Sequence, residues 1–175
     1  IMAPGAKVVP VPLRPEHGFR MQAADVEARI TPRSRVLMLN TPHNPTGAVL
    51  TAEDILALGR VAKAYDLWIL CDEVYEELIF ADGKFASPLD VADLADRSIA
   101  VASISKSHAA PGFRSGWAVG QEEFVAALLP VAETMLFGNQ PFIADMTAVA
   151  VSAPSPGRRR SRHSVSRSSC PPCPR

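Results

Sequence analysis

Apolar residues in this chain fall into short continuous runs, separated by stretches in which they recur with a helical period. Residues 35–40, Arg-Val-Leu-Met-Leu-Asn, form one such run with a turn signal at each end. This pattern predicts a strand buried on both faces, as in a parallel sheet. Residues 67–71 (Leu-Trp-Ile-Leu-Cys) and 98–102 (Ser-Ile-Ala-Val-Ala) predict two more, and 116–120 (Gly-Trp-Ala-Val-Gly) a short fourth. Between them, Thr51 precedes Glu53 and Asp54, a helix start, and Ile55, Leu58, Val61, Ala62 and Tyr65 then keep a helical period. Residues 23–30 carry Val26 and Ile30 four apart and end at Thr31-Pro32, predicting a short helix. Residues 122–137 and 141–151 also read as helices, with Pro130 expected to kink or break the first. Residues 8–12, Val-Val-Pro-Val-Pro, read as an edge strand or an extended lead-in.

Strands alternating with helices predict an α/β fold with a mostly parallel sheet covered on both faces. In such sheets, ligands bind beyond the carboxyl ends of the strands. The distinctive polar residues all lie there. Asn44 follows the strand ending at Asn40, Asp72 follows Cys71, and Ser103-Ile104-Ser105-Lys106 follows Ala102. Three strand ends converging on one crevice is the main physical signal in the sequence.

Composition adds a division of the chain. Its 175 residues carry 18 basic and 18 acidic side chains. Residues 157–175 hold six arginines and no acid, which leaves twelve basic against eighteen acidic in the rest. The segment from Ser152 is rich in arginine, serine and proline, and is expected to be disordered. Arginine–serine tracts bind nucleic acid, but the acidic body opposes that reading. Cys170 and Cys173 with His163 form a single CxxC without a partner pair, a weak metal signal. The preferred reading is an out-of-frame stretch beginning near residue 152. No run approaches the ~18–20 apolar residues of a membrane span. Three cysteines, one inside an apolar run, suggest a reducing cytoplasm rather than a disulfide framework.

Each candidate residue has a plain alternative. Lys106 is either a solvated lysine or an amine nucleophile suited to holding an aldehyde cofactor, set among small and hydroxylic neighbours. Asp72 is a helix cap or a partner for a protonated ring nitrogen. Tyr75 is a packing aromatic or a hydroxyl one helical turn beyond Asp72. Asn44 is a turn asparagine before Pro45 or an amide donor to the same ligand. Arg114 is solvated, or clamps a phosphate with help from the Ser103 hydroxyl, and Ser105 is a weaker candidate for the same task. His43 and His108 read as loop histidines.

Three segments carry a resemblance: residues 40–47 (Asn-Thr-Pro-His-Asn-Pro-Thr-Gly), residues 71–75 (Cys-Asp-Glu-Val-Tyr), and residues 103–106 continuing through 111–117 (Pro-Gly-Phe-Arg-Ser-Gly-Trp). Over about residues 5–151 the chain resembles the class I/II pyridoxal-phosphate-dependent aminotransferases of fold type I, the aspartate aminotransferase superfamily. The resemblance implies a three-layer sandwich around a mostly parallel sheet, here an incomplete large domain over residues 1–151 with the basic tail at 152–175. It implies ping-pong transamination between an amino acid and a 2-oxo acid. Lys106 is then the Schiff-base lysine and proton carrier, Asp72 the partner of the pyridine nitrogen, and Tyr75 and Asn44 the donors to the ring oxygen. Ser103 and Arg114 are the phosphate ligands. A homodimer is implied for the full-length enzyme. The family's glycine-rich phosphate turn, stacking aromatic and carboxylate-binding small domain have no counterpart in these residues, so the chain is expected to be a central piece of the enzyme. The alternatives are a non-catalytic fragment of such an enzyme and a lyase of the same fold and cofactor.

Overall fold

The computed structural model describes residues 5–80, 83–136 and 138–153. The arginine-rich tail from 154, with His163, Cys170 and Cys173, lies outside the described residues. Four strands form one sheet in the order β1 (Val36–Asn40), β2 (Trp68–Asp72), β3 (Ser98–Ser103), β4 (Gly116–Val119). The first three are parallel and β4 runs antiparallel to β3. The mostly parallel α/β sheet read from the sequence is therefore present. The lead-in at residues 6–14 is irregular, matching the extended alternative rather than the edge strand.

The register places the site. Asn40 pairs with Asp72, and Asp72 with Val101, so the carboxyl ends of β1 and β2 finish level with Val101, two residues before the end of β3. Ser103 pairs with Gly116, which brings the start of β4 to the same edge.

Helices α1 (Ala23–Glu27), α2 (Ala52–Ala64) and α3 (Ala92–Ala95) contribute to one core with β1 and β2. Leu37, Leu39, Ile69 and Cys71 of the sheet join Ile55, Leu58 and Ala62 of α2, with Leu94 closing the cluster. Each fully buried Leu or Ile contributes about 1.5–3 kcal/mol by leaving water. Helix α2 starts where the sequence predicts. The Thr51 Oγ1 accepts from the Asp54 amide at 3.2 Å, and Asp54 accepts from the Thr51 amide at 2.9 Å, a reciprocal capping box. The Asp54 carboxylate also receives Arg20 at 2.7 Å, tying the lead-in to α2.

One expectation needs correction. Strands β1 and β2 are not buried on both faces, whereas Ser98, Ile99 and Ala100 at the start of β3 are all buried. Val36 and Met38 are 55% and 43% exposed while Leu37 and Leu39 are buried, an alternation that leaves one face of β1 open. Phe124 of α5 (Glu122–Leu136) approaches that face beside Trp68, with ring centroids 6.0 Å apart. Of the kink or break expected at Pro130, α5 shows no break and continues to Leu136. Ala126 and Pro130 are both exposed. Helix α6 (Pro141–Ser152) follows, with proline in its first turn.

Candidate active site

The site is built where three parallel strands end. After β2 the chain turns sharply. The Asp72 Oδ1 accepts from the Val74 amide at 3.1 Å, and the Glu76 amide donates to the Glu73 carbonyl at 2.8 Å. The Asp72 carboxylate thus serves as a local cap while its second oxygen has no hydrogen-bond partner among the described residues. Asp72 and Tyr75 are both half-buried.

After β3, the short helix α4 (Ile104–Ser107) carries Lys106. Ser103 caps it, its Oγ accepting from the Ser105 amide at 3.3 Å. Ile104 is 1% exposed and anchors the turn in the core, which leaves Lys106 directed outward. The Lys106 Nζ lies 5.9 Å from the centroid of the Tyr75 ring, at the outer range of a cation–π contact. The lysine from the end of β3 and the tyrosine beyond the end of β2 therefore share one crevice. Lys106 is exposed.

Asn44 is exposed in the proline-rich loop after β1, and its side chain makes no hydrogen bond among the described residues. The backbone around it is firmly held. Thr41 is fully buried and its Oγ1 accepts from the Leu50 amide at 3.0 Å, while the Gly47 amide donates to the His43 carbonyl at 2.7 Å.

Arg114 follows the short turn Pro111–Phe113 in a left-handed conformation at φ 52°. Its Nη1 donates to the Pro111 carbonyl at 3.0 Å, and it makes no ion pair and no bond to Ser103 among the described residues. Ser103 pairs with Gly116, two residues after Arg114, so the two candidate phosphate ligands sit at the same end of the sheet without a hydrogen bond between them among the described residues. The two loop histidines bond locally, His43 to Thr46 and His108 to Ser107, each at 2.8 Å. Among the described residues no cluster of three metal-ligating side chains exists.

Sequence reasoning missed two residues. Asn40 joins the loop carrying Asn44 to the end of β2 through both ends of its amide. Glu73 is 5% exposed, and its carboxylate accepts the Ser87 hydroxyl at 2.7 Å. Burial pushes the Glu73 carboxyl above the usual carboxylate range, opposed by hydrogen bonds from Ser87 and Cys71. Burial likewise pushes the Cys71 thiol up, with Glu73 adding to the effect, so this cysteine is an inert core group. A buried polar pair behind Asp72 would have been visible from sequence only if the loop at 85–90 were known to fold back on β2.

An open cleft of about 560 Å³ lies between β4 and α6, lined by Ser115, Trp117, Asn139 and Thr147. The hydroxyls of Thr147 and the buried Ser115 share a hydrogen bond at 2.7 Å. The cleft lining excludes Lys106, Asp72 and Asn44.

Comparison with known proteins identifies the family. Residues 1–167 match the family of class I and II aminotransferases. This chain belongs to that family. It is 49% identical over 152 residues to arginine–pyruvate transaminase AruH of Pseudomonas aeruginosa, covering 87% of this chain and 38% of that protein. It is 37% identical over 140 residues to the probable N-succinyldiaminopimelate aminotransferase DapC of Mycobacterium tuberculosis, covering 79% and 35%. Among solved structures, a double mutant of Thermus thermophilus aspartate aminotransferase superposes with a TM-score of 0.78 at 34% identity, over 85% of this chain and 38% of that one. The chain therefore spans less than two fifths of these relatives. The family as a whole depends on pyridoxal phosphate. Among the described residues no helix is long and apolar enough to cross a membrane.

Proposed function

We propose that this chain carries the cofactor-holding part of an aminotransferase that moves an amino group from an amino acid to a 2-oxo acid. The observation that carries this reading is the placement of Lys106 Nζ over the Tyr75 ring, at the edge where Asp72 ends β2. The residues present suit pyridoxal phosphate. Among the described residues they supply an exposed primary amine, a carboxylate oxygen without a hydrogen-bond partner, an uncommitted side-chain amide at Asn44, and a guanidinium without an acid. When bound, the cofactor supplies an electron sink for charge left on the substrate carbon.

The chain's own groups divide the work. Lys106 Nζ would hold the cofactor and would carry a proton beside the substrate carbon. The Asp72 carboxylate holds the proton on the ring nitrogen by a charge-assisted hydrogen bond. The Asn44 amide and the Tyr75 hydroxyl donate to the ring oxygen. Ser103 and Arg114 bind the phosphate, Arg114 by its planar fork. The buried, unpaired Cys71 supports a reducing, cytoplasmic setting. Apolar side chains left exposed on α5 and α6, Leu129, Met135, Phe142 and Val149 among them, support a homodimer for the complete enzyme.

Titration of the 175-residue chain with pyridoxal phosphate tests this reading. A saturable visible absorbance band is expected, absent in Lys106→Ala. No band in the unaltered chain, or an equal band in Lys106→Ala, overturns it.

A further inference from the structure

Asn40 is the last residue of β1, half-buried, and its side chain reaches two neighbours at once. Its Oδ1 accepts from the Asn44 amide at 2.9 Å, and its Nδ2 donates to the Asp72 carbonyl at 3.2 Å. One neighbour offers a donor and the other an acceptor, a pair that the two ends of a carboxamide satisfy, and the partners fix which end is oxygen. The Asp72 carbonyl already accepts the Thr41 amide at 3.1 Å, as an extension of the β1–β2 ladder. The Asn40 bond is therefore a second bond to that carbonyl, and it ties the loop after β1 to the end of β2 beyond the point where strand pairing stops.

We propose that Asn40 is a positioning residue that sets the spacing between Asn44 and Asp72. This rests on the reading that those two residues address the ring oxygen and the ring nitrogen of pyridoxal phosphate. Asn44 is exposed and its loop carries two prolines, which lack amide donors of their own. Asn40 supplies the acceptor that holds the Asn44 backbone, and it leaves the Asn44 side chain uncommitted. At Asp72 it grips the main chain and leaves the free carboxylate oxygen available. The two contacts thus fix the backbone under both functional groups without occupying either. Aspartate at position 40 would keep the Asn44 contact and oppose the Asp72 carbonyl with a second acceptor. Alanine would remove both contacts.

Amide hydrogen exchange on the chain without cofactor tests the clamp, and pyridoxal phosphate affinity tests its purpose. In Asn40→Ala, exchange at the Asn44 amide is expected to rise about tenfold, as for loss of one hydrogen bond. The amides of α2 should keep their protection. In Asn40→Asp the Asn44 amide should stay protected. The Kd for pyridoxal phosphate should weaken about tenfold in Asn40→Ala. Unchanged exchange at Asn44 in Asn40→Ala overturns the clamp, and lost protection with unaltered affinity overturns its role in the site. If Asn40→Ala also loses protection across α2, Asn40→Asp decides, and loss of protection at Asn44 there overturns the proposal. An unaltered chain that fails to bind pyridoxal phosphate overturns the reading of the site itself, and the exchange result still reports on the clamp.

Discussion

The Ser87 hydroxyl donates to the Glu73 carboxylate at 2.7 Å, and this buried pair lies directly behind the turn that presents Asp72 and Tyr75. Ser87 is itself fixed by a capping box with Asp90 at the start of the helical turn Pro88–Asp90. Because burial raises the Glu73 carboxyl, the folded protein binds a proton there that the unfolded chain has already released. The associated stability is complete below the ordinary carboxylate range. It is lost as pH rises through the raised folded value. Thermal unfolding measured at a series of pH values should show this loss in the unaltered chain. Glu73→Gln should flatten it, since glutamine keeps an acceptor for Ser87 and cannot ionise.

Asp25 works in the opposite direction. Arg14 hydrogen-bonds its carboxylate, with Arg29 adding charge at 3.8 Å, and holds its carboxyl below the usual range. The stability from this group is present above the ordinary carboxylate pKa and is lost as pH falls through the lowered folded value. Replacing Arg14 with leucine should shift the acid arm of the unfolding profile to higher pH, measured by far-ultraviolet circular dichroism. An unmoved acid arm would show that the pair contributes nothing.

Gly116 sits where the backbone of β4 passes closest to β3. A Cβ there would lie 2.7 Å from the Ala102 carbonyl oxygen and 3.1 Å from the Ser103 Cβ. The main-chain contact cannot be relieved by a rotamer change. Gly116→Ala should therefore destabilise the fold by about 1–3 kcal/mol, the usual range for overpacking. Urea denaturation would report the difference.

Asp72→Asn separates the two uses of that side chain. Asparagine keeps an oxygen for the Val74 amide and loses the charge. The chain should unfold within a few degrees of the unaltered one. Affinity for pyridoxal phosphate should fall about 10- to 100-fold, as for loss of a charge-assisted hydrogen bond. Fluorescence titration separates the two effects, and equal affinity would remove Asp72 from the nitrogen-binding role.

Much of this arrangement is legible in the chain because it depends on local chemistry. The Thr51–Asp54 cap, the apolar strand runs and the polar residues at their ends all follow from short-range rules. What could not be read depends on register and on coverage. Asn40 meets Asp72 across 32 residues only because β1 and β2 pair in parallel with these two residues opposite one another. Glu73 meets Ser87 only because the chain after β2 folds back beneath it. A continuous apolar run such as Val36–Asn40 looks the same whether one face of its strand is covered or both, so the exposure of Val36 and Met38 was not visible in composition.

The central claim is that Lys106 holds the cofactor. Borohydride reduction of the chain incubated with pyridoxal phosphate, followed by peptide mass mapping, tests it most directly. The account predicts one dominant phosphopyridoxyl label, on Lys106, reached at cofactor concentrations that leave Lys7, Lys63 and Lys84 unlabelled. Labelling spread evenly over those lysines, or absent from Lys106, would contradict it.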